Sequence, residues 1–299
     1  MELTERINKL KKEKNAVILA HNYQMPEVQD IADFVGDSLE LSIQASKTAA
    51  DVIVFCGVHF MAETAKILSP QKRVLLPDKK AGCPMADMIN ADQLWELKAV
   101  NPGAKAMCYV NTSAEVKAQC DLCCTSSNAV KITKEAFLPQ EEIIFIPDKY
   151  LAHYVSEQTG RDFITWHGFC PTHANILPEI VLEQKRLHPE AMVMAHPECR
   201  PEVIALADRT LSTSGMLKYA REDKAKEFIV CTETGILHRL KKESPGKTFY
   251  PIEVAVCPNM KRTTLEKILW SLEEMYFEID VSPEVIALAG NSIRRMLEY

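Results

Sequence analysis

Nine short aliphatic runs punctuate the chain, and they fall into three sets of three. The first set is AVILA (16–20), DVIVF (51–55) and RVLLP (73–77). The second is KAMCYV (105–110), EIIFI (142–146) and DFITW (162–166), and the third is AMVMA (191–195), EFIVC (227–231) and FYPIEVAV (249–256). None alternates strictly between apolar and polar residues, which is the pattern of parallel strands covered by helices on both faces. Helical segments separate the runs, and Gly, Ser, Asn, His or Cys close them. The pattern predicts an α/β protein of three similar αβα sandwich domains with parallel sheets around a pseudo-threefold axis. The domains span 1–84, 85–171 and 172–258, and closing helices follow over 259–299. Ser282 and Pro283 offer a capping side chain and a first-turn proline for the last helix.

Three polar positions share the period. His21, Tyr109 and His196 stand at the end of the first run of each set, at intervals of 88 and 87 residues. Ser38, Ser126 and Thr213 repeat at 88 and 87, and Cys83, Cys170 and Cys257, each followed by proline, repeat at 87 and 87. In open parallel sheets the site lies at the carboxyl ends of the strands, where these residues fall. Around a pseudo-threefold axis they face one centre, so each domain delivers one thiol to it.

Composition narrows the classes. With 35 basic against 41 acidic side chains, a net charge of −6 and no basic run, nucleic acid is a poor partner. No apolar stretch approaches the ~20 residues that span a bilayer. The amphipathic start MELTERINKLKKEKN lacks the apolar centre of a signal peptide, so the expected location is cytoplasmic. Ten cysteines without an export signal point to metal or catalytic thiols rather than to disulfides.

Three converging thiolates suit zinc or an iron–sulfur cluster. No fourth ligand is evident, and an open metal position marks a catalytic site. The Cys-x2-Cys pair in CDLCC (120–124) has no copy in the other repeats, so Cys120, Cys123 and Cys124 are expected to pack. Cys56, Cys108, Cys199 and Cys231 are assigned the same role, and His153, His188 and His238 are taken as ordinary surface or packing residues.

These residues sit in longer segments: LAHNYQMPEVQDIADFVGDSLEL, AGCPMADM, YVNTSAEVKA, CTSSNAVKI, HPECRPEV, STSGMLKYA and CPNMKRTTLEKIL. Together they resemble the quinolinate synthase family over nearly the whole chain. The resemblance implies a transferase of NAD biosynthesis that condenses iminoaspartate with dihydroxyacetone phosphate, releasing phosphate and water to give quinolinate. It implies a [4Fe-4S] cluster on Cys83, Cys170 and Cys257, whose open iron acts as a Lewis acid. It also implies functional coupling to L-aspartate oxidase as a source of the imine. The family's other site positions fall on His21, Tyr23, Ser38, Tyr109, Asn111, Ser126, His173, His196, Glu198, Ser212 and Thr213. Of these, His21, Tyr23, Tyr109 and Glu198 are the catalytic candidates, with Tyr23 and Glu198 as acid and base. Ser38, Ser126, Ser212 and Thr213 are expected to open helices whose free N–H groups receive anionic groups. ADRTLSTSG departs from the family pattern at Arg209 and Leu211, which puts that loop's geometry in question. A cluster-dependent hydro-lyase, a non-catalytic iron–sulfur sensor and a tri-thiolate zinc hydrolase are the rival functions.

Overall fold

The computed structural model describes residues 2–299. Its core is three four-stranded, all-parallel sheets of one topology. The first comprises β1 (Ala16–His21), β2 (Phe34–Gly36), β3 (Val52–Cys56) and β4 (Arg73–Leu75), in the order β2-β1-β3-β4. The second comprises β5 (Lys105–Tyr109), β6 (Leu122–Cys124), β7 (Ile143–Ile146) and β8 (Ile164–Thr165), ordered β6-β5-β7-β8. The third comprises β9 (Met192–Ala195), β10 (Arg209–Thr210), β11 (Glu227–Cys231) and β12 (Thr248–Pro251), ordered β10-β9-β11-β12. The nine aliphatic runs are all strands. β2, β6 and β10, which no run announces, are short edge strands.

The runs do not alternate because both faces of each sheet are buried. In the first sheet Ile18, Ala20, Val52 and Val54 pack into one core, while Leu19, Ile53 and Phe55 pack into the other. The third sheet divides likewise, with Val193, Ala195 and Ile229 on one face and Met194, Phe228 and Val230 on the opposite one. The period of two persists, but both of its phases are apolar.

One clasp recurs at the start of each edge-strand pairing. Asp33, Asp121 and Asp208 accept backbone N–H bonds from Ile18, Ala106 and Val193, at 2.8, 2.8 and 2.7 Å. Each aspartate's own N–H donates back to the same residue's carbonyl at 2.9 Å. The repeat is thus kept at the level of single hydrogen bonds.

The closing helices each bind a different part of the body. Leu265–Glu274 lies on the N-terminal helix Leu3–Glu13, with Arg6 and Glu273 paired at 2.6 Å. Pro283–Met296 starts at a Ser282 cap, whose Oγ accepts from Val285 N–H at 3.3 Å. It packs on the second sheet's side, where Ser292 Oγ donates to the Lys117 carbonyl at 2.9 Å and Asn128 donates to the Met296 carbonyl at 3.1 Å. No helix among the described residues is long and apolar enough to cross a membrane.

Candidate active site

The carboxyl ends of the three sheets meet at one cavity of about 930 Å³, open mouth included. His21 ends β1, Tyr109 ends β5 and His196 follows β9 directly. Of the residues the sequence singled out, all but Ser212 line this cavity: Cys83, Cys170, Cys257, His21, Tyr23, Ser38, Tyr109, Asn111, Ser126, His173, His196, Glu198 and Thr213. Ser212 instead caps the helix Thr213–Glu222, its Oγ accepting from Gly215 N–H at 3.2 Å. Ser38 and Thr213 stand at the first position of their helices, so two helix N-termini face the cavity. Ser126 departs from the expectation. It lies in a turn ahead of the helix Ala129–Glu135, because Thr125 N–H binds Asn128 Oδ1 at 2.8 Å and delays the helix start.

All ten cysteines are free, and seven of them are buried. The half-exposed three are Cys83, Cys170 and Cys257. Burial, reinforced by Glu198 and Cys257, pushes the Cys83 thiol up to about 12. Burial and then Glu198 also raise Cys170. Thiols in such surroundings ionise when a metal takes the proton's place, so this donor set fits zinc or an iron–sulfur centre. Donor atoms of Cys170, His173 and Glu198 also lie within 4.8 Å of one another. Cys123 and Cys124 lie in β6, buried as expected, and Cys123 Sγ is 3.3 Å from Cys108 Sγ.

The backbone sets the tautomers of two cavity histidines. His21 Nδ1 accepts from Tyr23 N–H at 3.2 Å, and His196 Nδ1 accepts from Glu198 N–H at 3.3 Å. Both are the same turn in the first and third repeats. It leaves each Nε2 to carry the ring proton, and the one on His196 lies 3.2 Å from Ser126 Oγ. Burial lowers His21 to about 4 and His196 to about 3, so near neutral pH both are uncharged donors.

These shifts carry a stability prediction. A histidine titrates near 6.5 when unfolded, so from about pH 6.5 down to about 4 the unfolded chain binds more protons at both positions. Stability should therefore fall with pH across that window. Replacing both with asparagine should flatten the plot of thermal midpoint against pH, and an unchanged slope would contradict it.

Glu198 is the electrostatic centre. Burial pushes its carboxyl up, but His173, His196 and hydrogen bonds from His173 and Tyr109 outweigh it and hold the group at about 2. Its oxygen lies 2.6 Å from His173 Nδ1, which therefore carries the proton of that pair. His173 Nε2 lies 2.8 Å from Thr232 Oγ1, which is 2.6 Å from the Tyr23 hydroxyl. A hydrogen-bonded chain thus links Tyr23 through Thr232 and His173 to Glu198. Burial and then Glu198 raise both Tyr23 and Tyr109 well above the ordinary phenol range, so both keep their protons.

Sequence reasoning missed Thr232, which has no polar counterpart in the other repeats. Thr232→Val should leave the fold intact and lower kcat about 10- to 100-fold by cutting this chain. Steady-state kinetics beside a thermal melt would check it, and an unchanged kcat would remove the chain from the account. Asn111 Oδ1 is buried without a partner, an acceptor awaiting a ligand. No lysine or arginine lines the cavity. Arg209 lies instead over the Tyr219 ring at 5.6 Å, and Leu211 packs against the core.

Comparisons with known proteins give the family. A family model described as Quinolinate synthetase A protein matches residues 5–298. A quinolinate synthase of Dehalococcoides mccartyi (strain CBDB1) is 54% identical over 296 residues, covering 99% of this chain and 97% of the relative. One of Thermodesulfovibrio yellowstonii is 56% identical over 295 residues, 98% of this chain and 97% of its own. A third, of Methanosarcina barkeri, is 54% identical over 297 residues, 99% and 97% of the two chains. The chain belongs to the quinolinate synthetase A family.

Proposed function

We propose that this protein is a quinolinate synthase, a transferase of NAD biosynthesis that joins iminoaspartate to dihydroxyacetone phosphate with release of phosphate and water. The observation that carries it is the meeting of three Cys-Pro loops in a cavity that also presents neutral donors and the ionised Glu198 carboxylate. Cys83, Cys170 and Cys257 would hold a [4Fe-4S] cluster, which supplies a Lewis-acid iron for substrate oxygen.

The chain's own residues divide the remaining work. Substrate phosphate and carboxylates are received without cations, by the Nε2–H groups of His21 and His196 and by the helix N-termini at Ser38 and Thr213. Asn111 offers its unpaired amide oxygen to a donor on the substrate. Tyr23 and Tyr109 hold protons for leaving oxygens, and Glu198 takes protons from carbon. The Thr232–His173 link lets Tyr23 and Glu198 exchange a proton without opening the cavity to water.

A second arrangement has a specific basis, because Cys170, His173 and Glu198 could hold a single ion. The two differ in the metal content that the reaction would require. In an anaerobic assay, reconstituted protein receives dihydroxyacetone phosphate and iminoaspartate made in place by L-aspartate oxidase, and quinolinate is followed by chromatography and mass. Formation that requires protein, iron–sulfur centre and both substrates supports the synthase. No quinolinate from iron-replete protein would overturn it.

A further inference from the structure

The three cysteine loops are not held alike. In each repeat an N–H three residues past the third strand binds the carbonyl two residues before the cysteine. His59 binds Ala81 at 2.8 Å, Lys149 binds Gly168 at 2.9 Å and Thr234 binds Ala255 at 3.0 Å. One position earlier, two residues past β3, β7 and β11, stand Val58, Asp148 and Glu233. Asp148 Oδ2 accepts the N–H of Cys170 at 3.2 Å, and Glu233 Oε1 accepts the N–H of Cys257 at 3.1 Å. Both acids are fully buried. Val58 has no acceptor to offer, and among the described residues Cys83 N–H has no hydrogen-bond partner.

Each carboxylate is itself anchored. Asp148 Oδ1 accepts from Tyr150 N–H at 2.8 Å and Leu151 N–H at 2.7 Å, capping the helix Lys149–Thr159. Glu233 accepts from Gly235 N–H at 2.7 Å and pairs with Lys261 at 2.9 Å. Lys261 also donates to the Tyr23 carbonyl at 2.6 Å, which joins the Cys257 loop to the Tyr23 turn. A buried carboxylate anchored at one end and bonded to a ligand's own N–H fixes that residue's backbone, and with it the direction of the sulfur.

We infer that Asp148 and Glu233 are positioning residues that clamp Cys170 and Cys257, so that the metal centre rests on two rigid arms and one compliant arm, Cys83. This rests on the cluster assignment above. Val58 stands where the repeat loses its carboxylate, so Cys83 lacks this clamp.

The test follows iron loss to a chelator from anaerobically reconstituted protein, together with the low-temperature paramagnetic spectrum of the reduced centre. Asp148→Asn is the discriminating variant. Asparagine caps helices well, so its oxygen stays on Tyr150 and Leu151 and its amide then faces Cys170 N–H with a donor in place of an acceptor. The thermal midpoint should stay near that of the unaltered protein, while iron leaves about tenfold faster and the spectrum changes, the scale of one hydrogen bond. Glu233→Gln should behave alike at Cys257. Asp121→Asn, which takes the charge from a clasp away from the three Cys-Pro loops, should leave the release rate within about twofold. Unchanged release and spectra in both Asp148→Asn and Glu233→Gln would overturn the clamp while leaving the cluster standing. Acceleration that only accompanies a collapsed thermal midpoint, or equals that of Asp121→Asn, would also overturn it. Failure of the unaltered protein to take up four irons would overturn the cluster assignment and the clamp with it.

Discussion

Replacing any one of Cys83, Cys170 or Cys257 with alanine is expected to abolish stable cluster binding and to lower turnover by at least ~10³, the scale of a lost Lewis acid. The three should be equivalent in outcome, because each repeat contributes one half-exposed thiol to the same cavity and no other cysteine reaches it. Cys123→Ala is the contrasting case. That side chain is sealed between β5 and the C-terminal helix, 3.3 Å from Cys108 and 3.4 Å from Ser292 Oγ. Its loss should cost about 1–2 kcal/mol of stability through packing and leave iron content intact. Full iron and activity in even one of the first three variants would break the shared centre. Loss of iron in Cys123→Ala would give the CDLCC segment a role it lacks here.

Glu198→Gln is the second large effect. The substitution keeps the shape and removes the charge that orders His173, Tyr109 and, through Thr232, Tyr23. We expect kcat to drop about 10²–10⁴-fold with iron content unchanged, since proton transfer by a positioned carboxylate contributes on that scale. Raising the pH should not restore the rate, because glutamine has no proton to lose. A fall confined to KM would make Glu198 a binding group only, and retained kcat would remove it from the acid–base scheme.

Much of this site is legible in the sequence because duplication writes it three times. The central strands that aliphatic runs announce are buried on both faces and carry four or five apolar residues, as in VIVFC of β3. The strands that escaped are edges of two or three residues, and Arg209–Thr210 carries no apolar residue at all. Their pairing is fixed by the aspartate clasps, a long-range device that local periodicity does not register. Ser126 and Ser212 show the same limit. Ser126 keeps its phase in the chain yet falls in a turn, and Ser212 commits its hydroxyl to a cap.

The residues that sequence reasoning missed divide by whether the repeat carries them. Asp148 and Glu233 share one register position, and lining up the residues after β7 and β11 would have exposed them. Thr232 stands where Gly57 and Pro147 stand in the other repeats, so no internal comparison could mark it. Its importance arises only when the fold brings Tyr23 and His173 from separate repeats against one hydroxyl. Lys117 is similar: it is wholly buried and donates to the Thr112 carbonyl beside Asn111, a placement nothing in AEVKA suggests.

The central claim is one four-iron cluster on three thiols with one iron open to ligands. Mössbauer spectra of protein reconstituted with ⁵⁷Fe, recorded with and without quinolinate, test it most directly. The account predicts four irons per chain, with a single iron site shifting when quinolinate binds and the other three unmoved. One iron per chain with nitrogen and oxygen ligation, or four irons all indifferent to quinolinate, would contradict it.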